Sequence, residues 1–145
     1  MGDGEKLVRK INDRGFIGRD LTIFDEVLSP DFIEHDVPFD GMGEGREFMR
    51  NSAEQIMAAF SGMEFIVDEY HEFGDIVVEN WIIDITHDQA PFMGVEPTGS
   101  RIRTRGIDMF RVRGGQLVEH WGVVDTLGIA RELGLALVKN ETADG

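Results

Sequence analysis

The stretch that most limits what this chain can fold into runs from Arg101 to Asp125. Residues 101–112 read Arg-Ile-Arg-Thr-Arg-Gly-Ile-Asp-Met-Phe-Arg-Val; Arg113 and Gly114-Gly115 follow, then Gln116-Leu117-Val118-Glu119-His120-Trp121-Gly122-Val123-Val124-Asp125. A glycine pair between two apolar-rich runs marks a two-residue hairpin turn, because such turns need positive φ at their centre. The turn sets Arg113 opposite Gln116, and an unbroken ladder then sets Asp108 opposite Trp121 and Thr104 opposite Asp125. Side chains alternate across a strand. One face therefore carries Thr104, Gly106, Asp108, Phe110, Leu117, Glu119, Trp121, Val123 and Asp125. The other carries Arg101, Arg103, Arg105, Arg111 and Arg113 with Ile107, Met109, Val118, His120 and Val124. The arginines mark the second face as solvated or as an interface. A carboxylate beside a large aromatic marks the first as the wall of a shielded pocket with a candidate acid/base. A slip of one residue would break every one of these pairings.

Upstream, residues 4–28 read as helical, with Leu7, Val8 and Ile11 on one face and Leu21, Phe24, Val27 and Leu28 on another after a break at Arg14-Gly15. Asp20 is placed to cap the second helix, and Pro30 ends it. Asp31 to Pro38 is extended, and a glycine-rich link spans Gly41 to Gly45. Phe48, Met49, Ala53, Ile56, Met57 and Phe60 form the cleanest amphipathic helix. From Met63 the pattern turns to strands: Met63-Phe65-Val67 alternation, a turn at Gly74-Asp75, and a long strand from Ile76 to Thr86 centred on Trp81. A loop holds Pro91, Phe92, Met93 and Pro97, and a short helix from Thr126 to Leu133 ends at Gly134. Helices first and a strand meander after predict an α+β class, with helices covering one side of a curved antiparallel sheet. The whole chain, 1–145, reads as one domain with a flexible tail at 139–145.

Composition narrows the function. Twenty-eight acids against 14 Lys and Arg leave a net charge of −14, and the lysines are only Lys6, Lys10 and Lys139. Such a surface excludes nucleic acid, whose phosphates need a basic partner, and equally an anionic membrane. There is no cysteine, hence no disulfide framework and no thiol nucleophile. No apolar run reaches membrane-spanning length, and the N-terminus does not read as a signal peptide, so the cytoplasm is the expected location. No metal is expected, because His35, His87 and His120 lack ligand spacing. No phosphate loop or nucleophile elbow is present.

Several short motifs, in order, resemble the SnoaL-like polyketide cyclase family. They are Ile107-Asp108-Met109-Phe110-Arg111-Val112, the turn glycines, Leu117-Val118-Glu119-His120-Trp121, then Asp125, Leu127-Gly128 and Leu133-Gly134. Upstream, Asp31-Phe32, His35-Asp36, Gly74-Asp75-Ile76-Val77-Val78, Trp81, Thr86-His87 and Thr98-Gly99 extend the match over roughly residues 20–134. The resemblance implies a nuclear-transport-factor-2-like cone, a bent sheet wrapped around helices with a deep pocket, usually assembled as a homo-oligomer, either dimer or tetramer. It also implies ring closure by an intramolecular aldol reaction on an aromatic polyketide ester, without metal or cofactor. Asp125 resembles the family's acid/base aspartate.

The candidate site follows. Asp125 is the expected base, although its place before a helix equally suits an N-cap. His35 or His87 is the expected donor to the developing oxyanion. Phe60, Trp81, Phe92, Met93, Asp108 and Trp121 are expected to bind a small hydrophobic or aromatic carbonyl ligand. His120, on the other face in this register, is expected to be structural or part of an oligomer interface with Val118 and Val124, and His71 to face solvent. Proton abstraction and aldol closure is the leading function. A related isomerase or dehydratase, or a non-catalytic small-molecule binding domain, remains the alternative.

Overall fold

The computed structural model describes residues 1–36 and 42–141. Pro38 and Gly41, in the expected extended segment and glycine link, and residues 142–145 of the expected tail lie outside the described residues. Helix α1 (Asp3–Lys10) runs directly into a π-helical segment, Ile11–Ile17. The expected break at Arg14-Gly15 comes later, at Gly18-Arg19-Asp20, where Arg19 adopts a positive φ of 58°. Helix α2 (Thr22–Val27) follows, with Asp20 Oδ1 accepting the Thr22 amide at 3.0 Å. Helix α3 (Gly45–Ala59) buries Phe48, Ala53 and Met57, the expected stripe, but it stops at Ala59 and Phe60 opens the next strand.

Among the described residues five strands form one sheet: β1 (Leu28–Glu34), β2 (Phe60–Phe73), β3 (Ile76–His87), β4 (Arg101–Arg113) and β5 (Gln116–Val124), in the order β1-β5-β4-β3-β2. β2 to β5 make the expected antiparallel meander. The sheet as a whole is mixed, which corrects the all-antiparallel expectation, because β1 pairs with β5 in parallel. The cause is topological. The chain leaves β1 through α3, enters at the far edge, and three reversals bring β5 back beside β1 running the same way. Pro30 lies inside β1, which an edge strand tolerates since one side of its backbone needs no ladder bond. Helix α4 (Thr126–Glu132) closes the fold.

The largest correction concerns the hairpin. Arg113 pairs with Gln116 and Val112 with Leu117 as expected, but Arg111 pairs with Glu119. Val118 is thus an extra residue in β5, a β-bulge, and every side chain beyond it is exchanged between faces. Asp108 pairs with Gly122, not Trp121, and Gly106 with Val124. His120 and Gly122 therefore join Thr104, Asp108 and Phe110 on the inner face, while Glu119, Trp121 and Val123 turn outward. The β4 alternation stands.

Two apolar clusters cover this inner face. One joins Val8, Ile11, Phe24 and Leu28 to Val77, Phe110 and Leu117. The other joins Phe60, Ile83, Ile85 and Ile102 to Phe92, Ile129 and Leu133. Each fully buried side chain of this size, such as Phe24 or Leu28, contributes roughly 1.5–3 kcal/mol. At Gly106 no side chain fits: an added Cβ would overlap the Trp81 ring, so the glycine lets the indole lie against the floor of the sheet.

Candidate active site

The inner face of the sheet, α3, the π-helical segment and the 88–99 loop enclose a cavity of about 490 Å³, within the usual range for small-molecule sites. Most of its wall is apolar. Ile83 and Ile85 come from β3, Phe60, Met63 and Phe65 from β2, Phe48, Met49 and Ile56 from α3, and Phe92 and Met93 from the loop. The charged and titratable groups, Glu34, Asp36, Asp108 and His120, gather where β1, β4 and β5 meet.

There, His120 is held between two carboxylates. Its Nδ1 donates to Glu34 at 2.7 Å and its Nε2 to Asp108 Oδ1 at 2.7 Å. The second oxygen of Asp108 accepts the Trp81 indole N–H at 2.6 Å. Glu34 is buried, with 1% of its side chain exposed. The register explains the assembly. Parallel pairing of β1 with β5 sets Glu34 beside His120, and the bulge turns His120 inward to meet Asp108 from β4. Gly122 is required between them, since a Cβ there would lie 2.5 Å from Asp108 Oδ1 and 2.7 Å from His120 Nε2. Its amide donates to Asp36 Oδ2 at 2.8 Å, which brings a third carboxylate to the cavity wall. Burial opposes a charged imidazole, but the bonds to Asp108 and Glu34 outweigh it and raise His120 to about 9. At neutral pH it is an imidazolium between anions.

Behind this site lies a second buried acid. Glu79, directly opposite Asp108 in the β3–β4 ladder, is pushed up to about 9, first by burial and then by the neighbouring charge of Asp108. Asn12 Nδ2 and the Tyr70 hydroxyl donate to its Oε1. The two shifts act in one direction on stability. Each group holds a proton in the native state that the unfolded chain releases at lower pH, Glu79 from its ordinary 4.5 and His120 from 6.5. The stability they contribute is present below those values and is lost as pH rises towards 9. Denaturant midpoints should therefore fall steadily from about pH 6 to about pH 9, and Glu79→Gln should flatten that slope. A midpoint independent of pH over this range would refute both assignments.

The model of the SnoaL-like polyketide cyclase family matches residues 6–133. This chain belongs to that family. Among solved structures, IdmH from Streptomyces antibioticus, a proposed polyketide cyclase, is 28% identical with a TM-score of 0.75, covering 90% of this chain and 97% of that one. AclR from Streptomyces galilaeus, a proposed hydroxylase, is 24% identical with a TM-score of 0.78, covering 95% and 85%. A SnoaL-like proposed cyclase from Jannaschia sp. CCS1 is 23% identical with a TM-score of 0.76, covering 93% and 94%. These neighbours share the nuclear-transport-factor-2-like cone. None of the curated protein sequences matches.

In this SnoaL-like chain the residues singled out from sequence fall in different places. Phe60, Trp81, Phe92, Met93 and Asp108 border the cavity. Asp125 does not. The bulge turns it outward, and it is the N-cap of α4, its Oδ1 accepting the Gly128 amide at 2.9 Å. Trp121 also turns outward, where its ring stacks on His35 with centroids 4.6 Å apart and Arg111 lies over it. His35 bonds Glu119 at 2.8 Å on that outer side. His87 is fully buried, and the Phe60 ring packs 5.2 Å from it. Its Nε2 donates to the Ala90 carbonyl at 2.9 Å and its Nδ1 accepts from the Thr98 amide at 3.3 Å, which pins the loop carrying Phe92 and Met93. His71, as expected, is exposed beside Glu69. Sequence reasoning missed Glu34 and misplaced His120. The alternation of Glu34 and Asp36 with His35 was the one available signal, since two acids two apart share a face.

Among the described residues no group of three or more His, Asp or Glu is placed to hold a metal ion, and no helix is long and apolar enough to cross a membrane.

Proposed function

We propose that this chain is a cofactor-independent acid/base enzyme of the cyclase type, in which Asp108 and not Asp125 is the base. The observation that carries the reading is the His120 imidazolium clamped between Asp108 and Glu34 at the end of an otherwise apolar cavity. An imidazole raised to about 9 is already protonated and cannot accept a proton near neutrality. The carboxylate beside it can. Asp108 takes a proton from a carbon next to a carbonyl, and the C–H electron pair passes to the carbonyl oxygen as an enolate. Once Asp108 is neutral, the His120 Nε2–H is free to turn to that oxygen, and the remaining positive charge balances the enolate. The enolate carbon attacks a second carbonyl of the same molecule, and the new alkoxide recovers the proton from Asp108. No proton is consumed and no cofactor is called for. Glu34 holds the imidazolium, and the Trp81 N–H orients Asp108. Phe60, Trp81, Phe92 and Met93 fold the substrate, a small hydrophobic or aromatic carbonyl compound, and keep water out. The test is substrate C–H exchange in deuterated water across a panel of aromatic ketoesters. Exchange should require Asp108, and its absence throughout the panel would favour a binding domain.

Assembly as a homodimer is part of the same reading, through the outer sheet face. His120 cannot serve there, since it is 8% exposed and turned inward. Val124, also expected there, pairs with Gly106 and borders the cavity. Ile33 and Ile107 belong to the outer face instead, 52% and 48% exposed. Burying such a patch is what a second copy would do. Sedimentation should show a dimer at micromolar concentration that Ile107→Glu converts to monomer. A wild-type monomer would refute this.

A further inference from the structure

One group bordering the cavity has no part in the chemistry above. Thr104 lies on the inner face of β4, flanked along the strand by Ile102 and Gly106 and paired with Ile83. Its strand neighbour Ile102 and its cross-strand partner Ile83 belong to the apolar cluster that includes Phe60, Ile85, Phe92 and Ile129. Thr104 is 5% exposed, and its hydroxyl makes no hydrogen bond among the described residues. A buried hydroxyl left unpaired is costly, and native proteins rarely keep one without a use. Valine has the same shape, favours strands equally, and would fill this position without that cost. Packing alone does not account for a threonine here.

We propose that Thr104 is the second polar anchor of the cavity, binding a ligand oxygen at the end remote from Asp108. The two residues are four apart on one strand, so their Cα atoms are separated by about 13 Å. Between them the Trp81 indole lies over Gly106 and offers an apolar surface against which a ring can pack. This spacing selects a flat, elongated ring system with an oxygen substituent near each end. One end meets the Asp108–His120 pair, and the other, a hydroxyl or carbonyl, meets the Thr104 hydroxyl after rotation about its Cα–Cβ bond. The inference rests on the cavity as the ligand site, and so deepens the reading above, but it does not depend on which residue is the base.

The test uses two probes of nearly one shape, 2,6-dihydroxyanthraquinone and 2-hydroxy-6-methylanthraquinone, titrated by calorimetry. Wild-type protein should bind the diol about five- to tenfold more tightly, the net effect of one hydrogen bond. Thr104→Val should abolish this preference and Thr104→Ser should keep it. The same pattern should appear in an Asp108→Asn background, so loss of exchange activity and loss of diol preference report separately on the base and on this anchor. Without ligand, Thr104→Val should melt a few degrees higher, because the unpaired hydroxyl is gone (about 4 °C or less for a chain of this size). A merely structural threonine would give the opposite sign. A diol preference that survives Thr104→Val, an equal affinity of wild type for both probes, or a lower melting temperature in Thr104→Val would each overturn the proposal. If wild type binds neither probe, the cavity reading falls, and this inference with it.

Discussion

Asp108→Asn should lower C–H exchange and turnover by roughly 10²–10⁴-fold, the usual contribution of a positioned base. The amide keeps the shape of the side chain and can still accept the His120 or Trp81 N–H, but it cannot take a proton. Ligand affinity should therefore change little. Asp125→Asn is the contrasting variant. Asp125 caps α4 through the Gly128 amide, so its substitution should leave turnover nearly intact; even full loss of the cap would cost stability by only about 1 kcal/mol. The pair of variants separates the two aspartates cleanly. Should Asp125→Asn be the inactive one, in a protein that still melts cooperatively, the assignment of Asp108 would be wrong and the base would lie where the motif resemblance put it.

His120→Ala should be the most destabilising of the substitutions considered. It leaves Glu34, 1% exposed, and Asp108, 19% exposed, facing one another without the cation that pairs them. Removing one partner of a buried ion pair costs about 3–5 kcal/mol, because the other charge stays buried and uncompensated. Denaturant unfolding of His120→Ala beside His120→Phe checks this. The phenylalanine keeps a ring against Phe110, whose ring centroid is 4.6 Å from that of His120, but carries no charge, so wild-type stability in His120→Phe would show that the deficit is lost packing. Activity should also vanish, but stability is the sharper reading here, since it requires no substrate.

Much of this was legible before the fold was known. The helix stripe at Phe48, Ala53 and Met57, the turn glycines, and the strand alternation of Thr104, Gly106, Asp108 and Phe110 are local patterns, and local patterns follow from backbone geometry alone. So Phe60, Trp81, Phe92, Met93 and Asp108 were placed on the cavity without coordinates, and the motifs named the family. The parallel pairing of β1 with β5 was not legible, because it joins residues such as Glu34 and His120 that lie 86 positions apart, and no short-range signal records a contact of that kind.

The decisive difference lies in one residue. Sequence alone determined that a hairpin turns at Gly114-Gly115 and that one of its faces lines a pocket with an acid on it. Tertiary structure decided which half of β5 that face includes. Val118 is inserted as a bulge, with Leu117 opposite Val112 and Glu119 opposite Arg111. Side chains on a strand alternate with a period of two, so one extra residue sends Trp121 and Asp125 outward and brings His120 in. Nothing in Leu117-Val118-Glu119 announces the bulge. It is set by the need to bury Leu117 in the core and, five residues later, to fit Gly122 against Asp108, and both demands exist only once β1, β4 and β5 are side by side.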